Sequence, residues 1–235
     1  KRIHQRNVIL DSHTDTPMIF PGQFNLGEKE GGKVNLPLME EGLVDAAIMV
    51  AYIPQGKRDD ASLHQATDFA INRLNEIHRQ MEINRGRMNI AHSPQEVWVT
   101  KDAGKKAIML GVENGYAIGK DLGNIARFKK LGVSYITLCH NGSNDICDSA
   151  RGEAEWGGLS PFGKEVVAEM NRLGIMVDVS HAAESTFYDA LELSQLPIIA
   201  SHSSARALCN HPRNLTDDQL KALAAKQGVV QICLY

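Results

Sequence analysis

Two short apolar runs that each end in Ser-His constrain the fold of this 235-residue chain more than any other feature. The first is Val177-Asp178-Val179-Ser180-His181, and the second is Ile198-Ile199-Ala200-Ser201-His202. The residues between them, 182–197, carry apolar side chains at helical spacing, so the segment predicts a strand, a helix and a second strand. Such units are parallel with a right-handed crossover. Both imidazoles should therefore lie at the carboxyl ends of neighbouring strands, where α/β barrels carry their active sites.

Other apolar runs end in similar residue types. The run 7–10 leads into His13 and Asp15, which are two apart and therefore share one face of a strand. The run 106–112 leads into Glu113, and the run 133–139 leads into His140. With further apolar runs at 44–52 and 229–234, the chain has seven predicted strands. Predicted helices cover about 35–42, 61–83, 94–103, 124–131, 160–173, 182–197, 203–211 and 216–228.

This alternation, without an internal repeat or a linker, predicts an α/β fold: a (β/α)8 TIM-like barrel of the metal-dependent hydrolase type. Only seven strands are found, and an open barrel would leave strand edges unpaired. We therefore expect residues 1–235 to form a single barrel catalytic domain that is truncated at its carboxyl end before an eighth strand. The segment 18–35 is expected to lie over the barrel mouth. The segment 141–159 is longer than a connection needs, which favours a functional loop.

Composition excludes several classes of function. A net charge of −3 provides no basic surface for nucleic acid. No apolar run approaches the roughly 18–20 residues of a transmembrane helix. The four cysteines show no Cys-x-x-Cys spacing, so we expect free, buried thiols and no disulfide. The cellular compartment stays open, because a removed signal peptide would leave no trace.

The strand ends together predict a metal site. A single histidine at a strand end is more commonly structural, but four of the nine histidines in the chain end predicted strands. Nitrogen and oxygen ligands without a thiolate suit zinc, and a central carboxylate can bridge two ions. Two ions suggest hydrolysis of an amide or an ester. The chain has no Gly-x-Ser-x-Gly elbow and no phosphate-binding glycine loop. The candidate ligand residues are His13, Asp15, Glu113, His140, His181 and His202.

The motifs around these residues strongly resemble those of the membrane (renal) dipeptidases, peptidase family M19, over essentially the whole chain. The matching segments are Asp11-x-His13-x-Asp15, Gly111-Val112-Glu113-x-Gly115, Thr137-x-x-His140-Asn141, Asp178-x-Ser180-His181, Ser201-His202-Ser203-Ser204-Ala205, Arg213-Asn214 and Asp217-Asp218. The resemblance implies two zinc ions per chain and free dipeptides as substrates, with tolerance for a D-residue at the carboxyl-terminal position. It also implies a homodimer, as in mammalian members.

The resemblance implies a role for each site residue. His13 and Asp15 would bind one zinc ion, His181 and His202 would bind the other, and Glu113 would bridge the two. As a catalytic and substrate-binding residue, His140 would polarise the scissile carbonyl and stabilise the oxyanion. Arg213 would bind the free carboxylate of the dipeptide, although taken alone it is more typical of a surface charge.

The chain departs from the family pattern at three points. Ser12 and Asn114 stand where the family usually has glycine, so the local backbone is expected to differ slightly. In the loop after His140, the cysteine that forms a disulfide in the mammalian members has no counterpart, so that disulfide is not expected here. The catalytic aspartate of the family is expected beyond Tyr235, so this sequence lacks its general acid/base.

Three alternatives are open at this point. Other binuclear amidohydrolases act on lactones, cyclic amides or phosphotriesters, but they usually open with His-x-His and a lysine bridge, which differs from His13-x-Asp15 with Glu113. A catalytically silent relative would bind zinc and cleave no dipeptide. A structural barrel with chance histidines would bind no zinc.

Overall fold

The computed structural model describes residues 2–20 and 24–233 as a nearly closed barrel of parallel strands surrounded by helices. Its strands are β1 (Leu10–Thr14), β2 (Ala46–Tyr52), β3 (Met88–Ile90), β4 (Lys106–Glu113), β5 (Val133–Thr137), β6 (Met176–Asp178), β7 (Ile199–Ser203) and β8 (Val229–Ile232). Its α-helices are α1 (Arg2–Arg6), α2 (Leu36–Glu41), α3 (Asp60–Ile83), α4 (Pro94–Asp102), α5 (Gly123–Lys130), α6 (Pro161–Leu173), α7 (Glu184–Leu193) and α8 (Asp217–Ala225). Short 3-10 helices follow β1 and β4, at Thr16–Ile19 and Gly115–Ile118.

The strands pair in the order β1-β2-β4-β5-β6-β7-β8, and every pairing is parallel. β3 pairs only with the first residues of β4. The barrel curls until β1 lies beside β7, where the hydroxyl of Ser12 donates to the carbonyl oxygen of Ser201 at 2.7 Å. Within the described residues, β8 pairs with β7 alone. The predicted α/β barrel is confirmed.

Local differences from the sequence-based prediction have physical causes. The seven predicted strands are present, and β3 is a further strand that was missed because its three residues, Met88-Asn89-Ile90, form no continuous apolar run. The helix predicted at 203–211 is wrong, because the residues after the end of β7 form turns. Two backbone hydrogen bonds across the loop hold them: Arg206 N–H donates to the carbonyl oxygen of Leu215, and Leu215 N–H donates to that of Ser204. Leu234, predicted to end the last strand, lies outside the described residues.

Two further expectations concern the cysteines and the position of the segment 18–35. All four cysteines are free, but only Cys139 and Cys147 are buried. Within the segment 18–35, the backbone N–H of Leu26 donates to Gln80 of α3, so this part of the segment packs along α3. The described residues of that segment are absent from the lining of the cavity at the barrel mouth.

The barrel interior contains a small apolar cluster built around Tyr135, Ile48 and Val50. Tyr135 is fully buried, and Gly111 on the neighbouring strand makes room for its ring. A Cβ atom at Gly111 would lie 2.9 Å from the Tyr135 ring and 2.8 Å from Val50, closer than packed carbon atoms approach. This glycine therefore lets the phenol of Tyr135 extend through the barrel to the site above it.

The helices begin where the sequence places capping residues. Asn35, Ser93, Ser160 and Thr216 each accept a hydrogen bond from a backbone N–H in the first turn of the following helix. Thr216 and Gln219 form a reciprocal capping box. At the start of α4, Glu96 accepts from the backbone N–H of His92, one residue before the cap Ser93. Among the described helices, none is long and apolar enough to cross a membrane.

Candidate metal centre

The carboxyl ends of the strands converge on one cavity of about 410 Å³. Its lining includes every residue to which the sequence analysis gave a role: His13, Asp15, Glu113, His140, His181, His202 and Arg213. His13 lies in β1, Glu113 is the last residue of β4, and His202 lies in β7. His140 and His181 follow β5 and β6 by three residues each. The parallel topology therefore brings together side chains that are far apart in sequence.

Glu113 lies at the centre of this cluster and is 2% exposed. Its Oε2 atom is 3.4 Å from Nε2 of His13, whereas Oε1 is 3.2 Å from Nε2 of His181 and 3.3 Å from Nε2 of His202. Nε2 of His140 is 3.9 Å from Oε1. The two oxygens of one carboxylate thus face different histidines.

The electrostatics of the cluster follow from a buried charge among imidazoles. Burial would raise the pKa of Glu113, but hydrogen bonds from His13, His181 and His202 hold it well below its usual range. Burial would lower the pKa of His13, yet hydrogen bonds to Asp15 and Glu113 raise it to about 10. Burial lowers the pKa of His181 to about 3, and it also lowers the pKa of His140. The carboxylate therefore stays ionised and attracts positive charge.

The outer nitrogens of three histidines each have an acceptor. Nδ1 of His13 lies 2.7 Å from the Tyr135 hydroxyl, whose own proton is donated to the Ser12 carbonyl at 3.1 Å. Nδ1 of His181 lies 3.2 Å from Oδ1 of Asn141. Nδ1 of His202 lies 2.8 Å from the hydroxyl of Ser201. A neutral imidazole that donates from Nδ1 presents a lone pair at Nε2, the form in which histidine binds metals.

The donor set fits a divalent cation. Within the described part of the chain, two groups of donor atoms lie within 4.8 Å of one another: His13 with Glu113 and His202, and Glu113 with His140 and His181. Nε2 of His181 lies 3.0 Å from Nε2 of His202, and two lone pairs at that distance repel unless a cation or a proton lies between them. Nitrogen and carboxylate donors in this number suit zinc. Glu113 belongs to both groups.

Asp15 stands further out than the other candidate ligands. Its Oδ1 lies 3.6 Å from Nε2 of His13, and its side chain is 58% exposed at the cavity mouth. Arg213 also lines the cavity, and one of its Nη atoms donates to the carbonyl oxygen of His202 at 3.2 Å.

Unusual backbone conformations occur beside the cluster. His181 has φ of 69°, and Asn114 has φ of 82°, values that favour glycine. At Asn114 the side chain compensates: its Oδ1 accepts from Tyr116 N–H, and its Nδ2 donates to the Ile53 carbonyl. The backbone thus holds a positive φ at a residue other than glycine. The side-chain hydrogen bonds fix the end of β4 next to Glu113.

The loop at 141–159 is organised around a buried aspartate. Both oxygens of Asp148 accept backbone N–H groups, which belong to Glu155, Trp156, Gly157 and Gly158. The same loop contacts the cluster, because Ala150 N–H donates to the carbonyl oxygen of His181 at 2.8 Å. Asp148 therefore fixes the loop that forms one wall of the cavity.

Sequence reasoning missed several residues at the cavity. Tyr52 ends β2, and its hydroxyl lies 3.4 Å from Nδ1 of His140. Asn141 and Arg151 belong to the long loop, and Cys233 follows β8. Tyr52 and Asn141 were discoverable because each stands at or just beyond a strand end. Arg151 carried no signal beyond its position in a long polar loop.

Comparisons with known proteins identify the family of the chain. The family described as membrane dipeptidase (peptidase family M19) matches residues 1–235. Dipeptidase tcpJ of Claviceps purpurea is 37% identical over 206 residues, covering 86% of this chain and 48% of that protein. The probable dipeptidase PvdM of Pseudomonas aeruginosa superposes with a TM-score of 0.91 at 28% identity, covering 98% of this chain and 61% of that one.

A Rhodobacter sphaeroides metallopeptidase superposes with a TM-score of 0.85 at 25% identity, covering 96% of this chain and 73% of that one. That structure is liganded with a phosphinate mimic of the dipeptide L-Ala-D-Ala. The chain spans about half the length of the Claviceps relative. On the match to the family over residues 1–235 and the shared barrel, the chain belongs to the membrane dipeptidase family, peptidase family M19.

Proposed function

We propose that this chain carries the binuclear zinc centre of a dipeptidase that hydrolyses the peptide bond of free dipeptides. His13 and Asp15 would hold one ion, His181 and His202 the other, and Glu113 would lie between them. The observation that carries the proposal is the division of the Glu113 carboxylate, with Oε2 toward His13 and Oε1 toward His181 and His202. When bound, two zinc ions would lower the pKa of a water molecule and polarise a carbonyl oxygen.

His140 is the residue proposed to stabilise the oxyanion. Its imidazole lines the cavity beside Glu113, and Tyr52 lies within 3.4 Å of its Nδ1 atom. If Nδ1 accepts a hydrogen bond from the Tyr52 hydroxyl, Nε2 carries the ring hydrogen and can donate to the carbonyl oxygen of the substrate. Donors that are fixed before charge develops on that oxygen are usually the largest electrostatic contribution to catalysis.

Arg213 is proposed to select substrates with a free carboxylate. Its guanidinium is already oriented by the bond to the His202 carbonyl, which leaves further N–H groups for a planar, charge-assisted pair. Because this carbonyl belongs to a proposed zinc ligand, the carboxylate would be held at a fixed distance from the metal centre. A longer peptide would place its carboxylate elsewhere.

Further properties are proposed from the relatives. The phosphinate mimic of L-Ala-D-Ala in the Rhodobacter metallopeptidase supports tolerance for a carboxyl-terminal D-residue. We further propose that residues 1–235 form one barrel domain and that the protein assembles as a homodimer, which sedimentation velocity would test.

The test combines zinc analysis with a substrate panel of Gly-L-Ala, Gly-D-Ala and their N-acetyl derivatives. Because the chain covers only 48% of the Claviceps relative, activity is measured on protein extended to the length of its relatives. We expect two zinc ions per chain and cleavage of the free dipeptides only. Zinc binding without cleavage of any dipeptide would indicate a catalytically silent relative. A chain that binds no zinc would refute the proposal.

A further inference from the structure

A buried carboxylate lies behind His202 and reaches it through one hydroxyl group. The Oδ2 atom of Asp178 lies 2.6 Å from the hydroxyl of Ser201, and the same hydroxyl lies 2.8 Å from Nδ1 of His202. Asp178 is completely buried and Ser201 is 1% exposed, so water does not compete for these bonds. The three groups form a continuous chain beneath the metal centre.

Hydrogen counting fixes the direction of this chain. Each oxygen of Asp178 accepts two bonds: Oδ1 from the N–H groups of Ser180 and Ser201, and Oδ2 from the hydroxyls of Thr137 and Ser201. A carboxyl group with four donors around it is an acceptor only, hence ionised. The single proton of the Ser201 hydroxyl goes to this charge at 2.6 Å, because an ionised carboxylate is a stronger acceptor than a neutral Nδ1 of His202 at 2.8 Å or the Oγ of Ser180 at 3.5 Å. The hydroxyl oxygen must then accept from His202.

We propose that Asp178 and Ser201 form a positioning pair that holds His202 in its Nδ1–H tautomer, so that Nε2 is kept as a metal ligand. This inference rests on the proposed metal site. Nε2 of His202 points to Glu113, 3.3 Å from Oε1. Because the Ser201 hydroxyl donates to an ionised group, its oxygen is a stronger acceptor than a hydroxyl whose proton goes to a neutral partner.

The pair is anchored independently of the metal. Thr137, Asp178 and Ser201 belong to the adjacent strands β5, β6 and β7, so the carboxylate links three strand ends. The Nδ1 partners of His13 and His181 are neutral: a phenol and an amide. His202 is therefore the one of these three histidines with a buried negative charge behind its partner.

The direct test is the tautomer of His202 in the wild-type protein, from ¹H–¹⁵N correlation through the ring protons, with assignment by a His202→Gln variant. We expect a proton on Nδ1 in both metal-free and zinc-loaded protein, with Nε2 bare in the zinc-loaded form, whether or not Nε2 also carries a proton toward Glu113 when the metal is absent. A proton on Nε2 with Nδ1 bare would overturn the proposal. The metal-free measurement needs no activity, so it remains informative if the proposed dipeptidase function fails.

Two matched variants separate positioning from general support. Ser201→Ala and Thr137→Val each remove one hydroxyl donor from Oδ2 of Asp178, but only Ser201 contacts His202. In competition with a chelator, we expect Ser201→Ala to bind zinc about 10- to 100-fold more weakly, as for other contacts behind metal-binding histidines. Thr137→Val should bind zinc as the wild type does. Equal zinc affinity in Ser201→Ala and the wild type, or an equal loss of zinc affinity in both variants, would refute the proposed positioning role of Asp178 and Ser201.

Discussion

Asp148 provides a sharp test of how the wall of the cavity is built. In an Asp148→Asn variant, the amide oxygen can replace Oδ1 and still accept from Glu155 and Trp156. The amide NH₂ would then replace Oδ2 and face the N–H groups of Gly157 and Gly158, which would lose their acceptor. The change therefore turns two charge-assisted bonds into donor–donor contacts at a site that is 1% exposed.

The expected cost follows from this count. Each buried donor that loses its partner costs about 1–3 kcal/mol, so two donors lower the free energy of unfolding by about 4 kcal/mol. Urea denaturation of the metal-free protein measures this change. Asp189→Asn is the matched control, because Asp189 accepts a single N–H, from Leu159, at the end of the same loop. It should cost about 1 kcal/mol, since its amide oxygen can retain that bond.

The result that would refute this reasoning is an Asp148→Asn variant within about 1 kcal/mol of the wild type, or one no less stable than Asp189→Asn. Either outcome would mean that the loop does not depend on the carboxylate. If the reasoning is right, limited proteolysis should also cut the loop earlier in Asp148→Asn than in the control. Zinc binding should weaken as well, because Ala150 of this loop donates to the backbone of His181.

Three further predictions concern the proposed roles. Glu113→Gln should lose zinc and activity together, with zinc binding weakened by more than about 100-fold because a metal ligand is removed; metal analysis that found full zinc content would contradict this. Arg213→Ala should raise KM for free dipeptides about 10- to 100-fold, the equivalent of one charge-assisted pair, while zinc content and the kinetics of a dipeptide amide stay unchanged. His140→Gln should lower kcat about 100- to 1000-fold with zinc retained, and a loss of zinc instead would make this histidine a ligand.

The positions of the candidate ligands could be predicted because strand ends are marked in the sequence. Glu113 and His202 each terminate an apolar run, and parallel strands place their carboxyl ends at one edge. His13 lies in β1 and Asp15 follows its last residue, and both side chains reach the cavity, as the sequence-based prediction required. The alternation of strands and helices predicted the barrel for the same reason.

The contacts behind the ligands could not be predicted. Tyr135 lies in the middle of β5 and is the same kind of residue as many buried aromatic side chains. Its contact with His13 depends on the space that Gly111 leaves on β4 and on the close approach of β1. Neither can be predicted from the sequence of β5 alone. The same applies to Asp178, whose partners Thr137 and Ser201 come from two other strands.

The meeting of β1 and β7 has a consequence for how the protein folds. The hydrogen bond between Ser12 and Ser201 joins residues 189 positions apart, and the rings of His13 and His202 lie 3.8 Å between centroids. Contacts of such high sequence separation form late and slowly, since a long loop must close first. We therefore expect the half of the proposed metal centre that contains His13 and His202 to be among the last parts of the molecule to assemble. Zinc bound between His13 and His202 would add its binding energy only to chains that have already brought β1 and β7 together, whereas the group of Glu113, His140 and His181 needs only the ends of β4, β5 and β6.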